Sequence, residues 1–208
     1  MTPFDRDADA HHLDALRASL SSYVSAKLPT ETRGALLQFA DLVSTWGART
    51  DLVAARSPEA LLEILCLDAF VLAEGIPPKQ TLIDVGAGAG APSLPLAVMR
   101  PDLHLTLLEP RRKRVAFMRT AVGALGLSKR VVVREGRLEG LQGERFDLAL
   151  SRATFEPGEW LERAAPLADL VAVLLGTAEA PSGDIVWQQP YETAKGGARR
   201  ALVYRTPK

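Results

Sequence analysis

The sequence predicts an α/β fold, a Rossmann-like and mainly parallel seven-stranded sheet behind an N-terminal helical extension. Three observations predict it. Up to Pro77-Pro78 the apolar residues recur at helical spacing; beyond them short apolar runs alternate with amphipathic stretches; and the first of these runs leads straight into the glycine turn Gly86-Ala-Gly-Ala-Gly90. The 208 residues are accordingly divided into a helical subdomain, 1–78, and a larger domain, 79–208, that carries the turn.

Helices are expected at His12–Leu28, Glu31–Trp46 and Pro58–Glu74, the last with Ser57 as its cap and Pro58 in its first turn. That third helix holds Leu61, Leu62, Ile64, Leu65, Leu67, Phe70, Val71 and Leu72, apolar around most of its circumference, so it should pack on the larger domain. Glu59, Glu63 and Asp68 should mark its wet side. Strands are expected at Thr81–Val85, His104–Leu108, Val131–Arg134, Phe146–Leu150, Leu170–Leu175, Asp184–Gln188 and Ala201–Arg205. Helices at Pro92–Met99, Arg111–Leu125 and Gly158–Ala165 fall between the earlier ones.

Composition narrows the function classes. A 47% hydrophobic content is that of a globular chain, no run of 18 apolar residues suggests a membrane span, and the start lacks the basic and apolar parts of a signal peptide, so a cytoplasmic location is expected. The single cysteine, Cys66, sits in an apolar run and reads as a buried thiol. His11-His12 have no further ligands beside them, so no metal site is expected and both rings should be exposed at the start of the first helix. The net charge of +0 conceals an asymmetry: residues 1–78 hold 6 Lys and Arg against 11 Asp and Glu, leaving 19 against 14 for residues 79–208. The second part is the candidate for an anionic partner.

The chemistry centres on Leu82-Ile-Asp-Val-Gly-Ala-Gly-Ala-Gly-Ala-Pro-Ser93. A buried strand, a glycine turn and a helix start allow the backbone to approach a nucleotide-type ligand closely. Gly86, Gly88 and Ala91 also satisfy the dinucleotide fingerprint, so the turn alone leaves NAD and S-adenosylmethionine (SAM) both open. Glu109, at the end of the next strand and 19 residues beyond Gly90, is suited to a ribose's two hydroxyls, which both ligands carry. Asp84 favours SAM, because an acid there suits a cationic amine and sulfonium and is awkward beside a pyrophosphate.

At these residues the chain resembles the bacterial small-subunit rRNA methyltransferases that modify guanine N7, also called glucose-inhibited division protein B. Four runs carry the likeness in order: Asp84-Val-Gly-Ala-Gly-Ala-Gly-Ala-Pro-Ser-Leu-Pro-Leu96, Leu107-Leu-Glu-Pro-Arg-Arg-Lys-Arg-Val-Ala-Phe117, Gly136-Arg-Leu-Glu139 and Phe146-Asp-Leu-Ala-Leu-Ser-Arg-Ala153. The resemblance implies the class I SAM-dependent methyltransferase fold, SAM as cofactor and ribosomal RNA as partner. By residue it implies that Gly86 and Ala91 line the cofactor alongside Asp84, Gly88 and Gly90, that Glu109 holds the ribose, and that Leu138 and Glu139 lie beside the adenine. It puts Arg152 at the active-site mouth as the candidate catalytic residue, orienting the base or its phosphate; a structural ion pair with a carboxylate such as Glu156 is the competing reading. The run Arg111-Arg-Lys-Arg114 opposes the dipole at a helix start, which suggests RNA phosphate contact as readily as a solvated face. Arg199-Arg200 invites the same two readings.

The chain also departs from that family's pattern. Ser93 stands where the family has glycine and Ala91 where it has a large apolar residue, and Leu175-Gly176 lacks an intervening lysine. Only Gly176–Gly183 is available for the connection after the fifth strand, and eight residues span at most about 26 to 29 Å. Either this link runs straight back across the sheet or the sixth strand changes direction. Three functions remain in view: guanine-N7 methylation of rRNA, methylation of another substrate, and a SAM-fold protein that has lost catalysis and serves as a binding or regulatory partner.

Overall fold

A computed structural model describes residues 6–19, 28–47 and 50–207. Three helices come first, α1 (Arg6–Ser19), α2 (Thr30–Gly47) and α3 (Pro58–Gly75). The helix expected at His12–Leu28 instead begins at Arg6, because Asp7 and Asp9 in its first turn and Arg17 in its last complement the helix dipole. Its expected continuation over residues 20–27 lies outside the described residues. His11 and His12 therefore fall mid-helix; His11 is exposed, whereas His12 is half-buried. At α3 the Ser57 hydroxyl accepts from Ala60 N at 3.2 Å, the capping bond its sequence position predicts.

The remainder alternates: β1 (Thr81–Val85), α4 (Ser93–Met99), β2 (His104–Glu109), α5 (Arg112–Ala124), β3 (Val131–Glu135), a 3-10 turn at Leu138–Leu141, β4 (Phe146–Ser151), α6 (Pro157–Ala164), β5 (Ala168–Leu175), β6 (Asp184–Glu192) and β7 (Ala198–Arg205). One seven-stranded sheet results, in the order β3-β2-β1-β4-β5-β7-β6. The first five of these neighbours pair in parallel, while β7 runs antiparallel to both β5 and β6. Pro92 falls at the N-cap of α4 rather than inside its first turn.

Two antiparallel steps make β6 parallel to β5, so the link 176–183 must return to the other end of the sheet. Arg205 pairs with both Leu170 and Asp184, which sets the return from Leu175 at five residues, roughly 17 Å along the strands at the usual rise. Eight extended residues cover that distance without a helix, so the link runs straight back. Ala180 packs against the core on the α6 face and the Tyr204 hydroxyl donates to Pro181 O at 2.9 Å, holding the link there.

Strand alternation gives the sheet two apolar faces. Leu82, Leu105, Leu107, Leu148 and Val203 meet α1 to α5 in one continuous core, into which α3 inserts Leu61, Leu62, Leu65, Phe70 and Leu72. Ile83, Val85, Ala149, Val171 and Tyr204 face α6, where Trp160 donates its indole N–H to Ala172 O at 3.0 Å. Arg100 joins the layers. Its guanidinium donates to Ala73 O and Ile76 O at the end of α3 and forms an ion pair with Asp102 at 2.8 Å, a cation at the helix's negative pole. Arg100→Ala strands these acceptors and is expected to lower stability by about 2 kcal/mol, to be read by urea denaturation.

Candidate functional site

The carboxyl ends of β1, β2 and β4 frame the glycine turn. Gly86, Gly88 and Gly90 have φ of +78°, +61° and +82°, the left-handed region that favours glycine. A Cβ at Gly86 would come within 2.4 Å of Thr154 Oγ1, and one at Gly90 within 2.6 Å of Leu94 Cδ1. These two glycines thus serve local packing as well as the turn. Gly88 differs, since a Cβ there would meet nothing closer than ordinary van der Waals contact, with Arg114 Nη1 at 3.7 Å and Gly86 O at 3.9 Å. Its face is the open one. Glu109 is buried and fastens the turn, accepting from Gly88 N on Oε2 and from Arg111 N on Oε1, both at 2.9 Å. Each oxygen retains a second lone pair, enough to receive a ribose hydroxyl. Ala91 is buried directly behind the turn.

Asp84 is only 1% exposed, and Ser93 donates to its Oδ2 at 2.5 Å. Any influence of Asp84 on a ligand acts through its field, because its carboxylate lies beneath the turn. Burial pushes its pKa up to about 7, with Glu109 adding to the rise and Ser93 and Arg152 opposing it. The folded protein holds this proton more tightly than the unfolded chain, whose aspartate titrates near about 4. Stability should therefore fall as pH rises from about 4 to about 7 and level off above that. Melting curves of the wild type and Asp84→Asn over this range check it: the substitution should remove that part of the pH slope, and parallel curves would contradict it.

Arg152 follows β4 and is committed to α3. Its Nη1 donates to Ile64 O at 2.8 Å and to Asp68 Oδ2 at 3.0 Å. The ion-pair partner is Asp68, not Glu156. Asp68 is also not on a wet face of α3: it is 3% exposed, because Tyr191 donates to its Oδ1 at 2.7 Å and Arg199 lies 3.7 Å from the same oxygen. The buried carboxylate thus links α3, the β4 end and both strands of the β6–β7 hairpin. Beside it lies a cavity of about 240 Å³, lined among others by Arg152, Asp68 and Arg199. Ala153, with φ of +56°, turns the chain so that Thr154 closes on Gly86.

The remaining candidates spread along the same edge. Leu138 is half-buried at the start of the 3-10 turn, and exposed Glu139 forms an ion pair with Arg163 at 3.5 Å. The basic run divides: Arg112 pairs with Glu135 at 3.0 Å, Arg114 donates to Asp51 O at 3.2 Å, and Arg111 and Lys113 are exposed. Sequence reasoning missed the Ser93 bond to Asp84 and the Asp68–Tyr191 contact. The first is signalled by a hydroxyl nine residues after a buried acid at a helix start; the second, across 123 residues, has no local signal. Among the described residues no group of three or more His, Cys, Asp or Glu is arranged to hold a metal, and no helix is long and apolar enough to cross a membrane.

Residues 33–175 match the family described as rRNA small subunit methyltransferase G, GidB. The chain belongs to that family. The match contains the glycine turn, Glu109 and Arg152 and ends with β5, so β6 and β7 lie beyond it. Ribosomal RNA small subunit methyltransferase G of Frankia alni is 38% identical over 142 residues, 66% of this chain and 50% of that protein. The protein of the same name from Neisseria gonorrhoeae is 35% identical over 154 residues, 74% of this chain and 73% of that protein. The aligned part thus spans half the length of the Frankia relative. Among solved structures, P. horikoshii TYW2 in complex with MeSAdo aligns with TM-score 0.54 at 16% identity over 67% of this chain and 61% of that one. TrmN from Thermus thermophilus aligns with TM-score 0.53 at 22% identity over 71% and 48%. These likenesses establish the class I methyltransferase fold.

Proposed function

We propose that this protein transfers the methyl group of SAM to guanine N7 in small-subunit ribosomal RNA, acting in the cytoplasm. Residues 1–78 then form a helical subdomain beside the SAM-binding domain, 79–208. The observation that carries this reading is the open backbone face at Gly88, fastened by the buried Glu109 at the carboxyl edge of a parallel sheet. The residues present fit the cofactor. Gly86, Gly88, Gly90 and Ala91 would supply the close backbone approach and Glu109 the ribose acceptor. Leu138 and Glu139 would flank the adenine, and Asp84 would supply a negative field beneath the cationic end. When bound, SAM supplies an electrophilic methyl carbon on a sulfonium.

Guanine N7 already presents a lone pair, so the chain needs no general base, and its contribution is orientation. Arg152 suits that task. Asp68 and Ile64 O fix Nη1, leaving the other donors of the planar fork for a base oxygen or a phosphate. The same commitment of Arg152 to α3 favours the second reading, a fold retained for binding without catalysis. Incubation with methyl-tritiated SAM and small ribosomal subunits lacking the modification separates the two. The enzyme reading expects label in RNA at a guanine that becomes sensitive to borohydride and aniline scission. Label in another acceptor would redirect the substrate, and none in any would leave the binding role.

A further inference from the structure

We propose that the β6–β7 hairpin is the RNA-holding side of this site, with the Arg199 guanidinium receiving a backbone phosphate of the strand that enters the cavity beside Arg152. The inference rests on the RNA acceptor proposed above, but it uses residues beyond the family match. From Thr193 to Arg200 the only charged residues are Lys195, Arg199 and Arg200. A tight turn at Gly196, with φ of +76°, brings them to the edge of the sheet that carries the glycine turn.

The hairpin is docked there by specific contacts. Ala194 N donates to Glu63 Oε1 at 2.8 Å, and the Tyr191 hydroxyl donates to Asp68. The two carboxylates lining the cavity are therefore engaged by protein donors, and Arg152 balances Asp68. Arg199 is different. At 3.7 Å from Asp68 Oδ1 it is held by charge without a hydrogen bond, and its side chain is 43% exposed. Its five planar donors match the paired oxygens of a phosphodiester. Lys195, exposed at the tip, extends the positive track, whereas Arg200 is partly used in donating to Ala178 O at 2.8 Å.

The test is filter binding of the full chain to purified small ribosomal subunits across a potassium chloride series, for wild type, Arg199→Gln, Arg199→Lys and Arg205→Gln. Arg205 is the control, since it carries the same charge at the opposite end of β7. Arg199→Gln should weaken binding roughly five- to tenfold and flatten the log-affinity against log-salt slope by about 0.7, the share of one single-strand phosphate. Arg199→Lys should recover most of both, and Arg205→Gln should change neither. Partial unfolding would scale apparent affinity but leave the slope, so the slope carries the result. Equal slopes for Arg199→Gln and wild type, or no binding of the wild type at any salt, would overturn the proposal. Arg199-dependent binding without label transfer would instead overturn the catalytic reading alone.

Discussion

Gly86→Asp is expected to remove nearly all of the rise in melting temperature that saturating SAM gives the wild-type protein. With φ at +78° the position strains any residue but glycine, although aspartate tolerates left-handed backbone better than most, so the fold should survive. The new side chain would meet Thr154 Oγ1 and set a third carboxylate near Asp84 and Glu109. Loss of the close approach should weaken SAM binding by at least about 100-fold. At a concentration 100 times the wild-type dissociation constant, SAM stabilises by about 2.7 kcal/mol, a shift of roughly 5 to 10 °C for a chain of this size. The variant should keep no more than about 0.4 kcal/mol of it, a shift of roughly 1 to 2 °C, while melting within a few degrees of the ligand-free wild type. An undiminished SAM shift in Gly86→Asp would mean that SAM binds elsewhere.

The second large effect concerns stability. Asp68→Ala removes the carboxylate that compensates Arg152 and accepts from Tyr191, leaving a partly buried guanidinium and a buried hydroxyl without their partner. Removing one member of a buried pair is strongly destabilising, and partial solvent access at Arg152 and Arg199 lessens the penalty to about 2 to 3 kcal/mol. The melting temperature should fall by roughly 4 to 12 °C. Tyr191→Phe, which deletes one hydrogen bond to the same carboxylate, should cost about 1 kcal/mol. If Asp68→Ala melts like the wild type, the carboxylate does not join the hairpin to α3 in solution.

The part of the molecule that depends on local pattern was readable in the sequence. Thr81–Val85 is a strand end to end as expected, since an apolar run bounded by a glycine turn leaves little freedom, and Ser57-Pro58 marked the start of α3. Glu109 came to the expected strand end, where the same spacing that suits a ribose also lets it bond the turn. Asp68 was misjudged because helical periodicity sorts residues by polarity, and a charged residue is assigned to solvent unless its partners are known. Those partners, Arg152, Tyr191 and Arg199, are 84 to 131 residues away and meet it only after the sheet has formed. Length alone left the path of 176–183 open between two routes. Strand register decides between them, through the shared pairing of Arg205.

Calorimetric titration of the purified protein with SAM and with its demethylated product tests most directly whether the glycine turn binds SAM. One saturable site for each ligand is predicted, with SAM release of a proton near pH 7 as the cationic end draws the pKa of Asp84 back down. No heat of binding for either ligand at millimolar concentration would contradict the account.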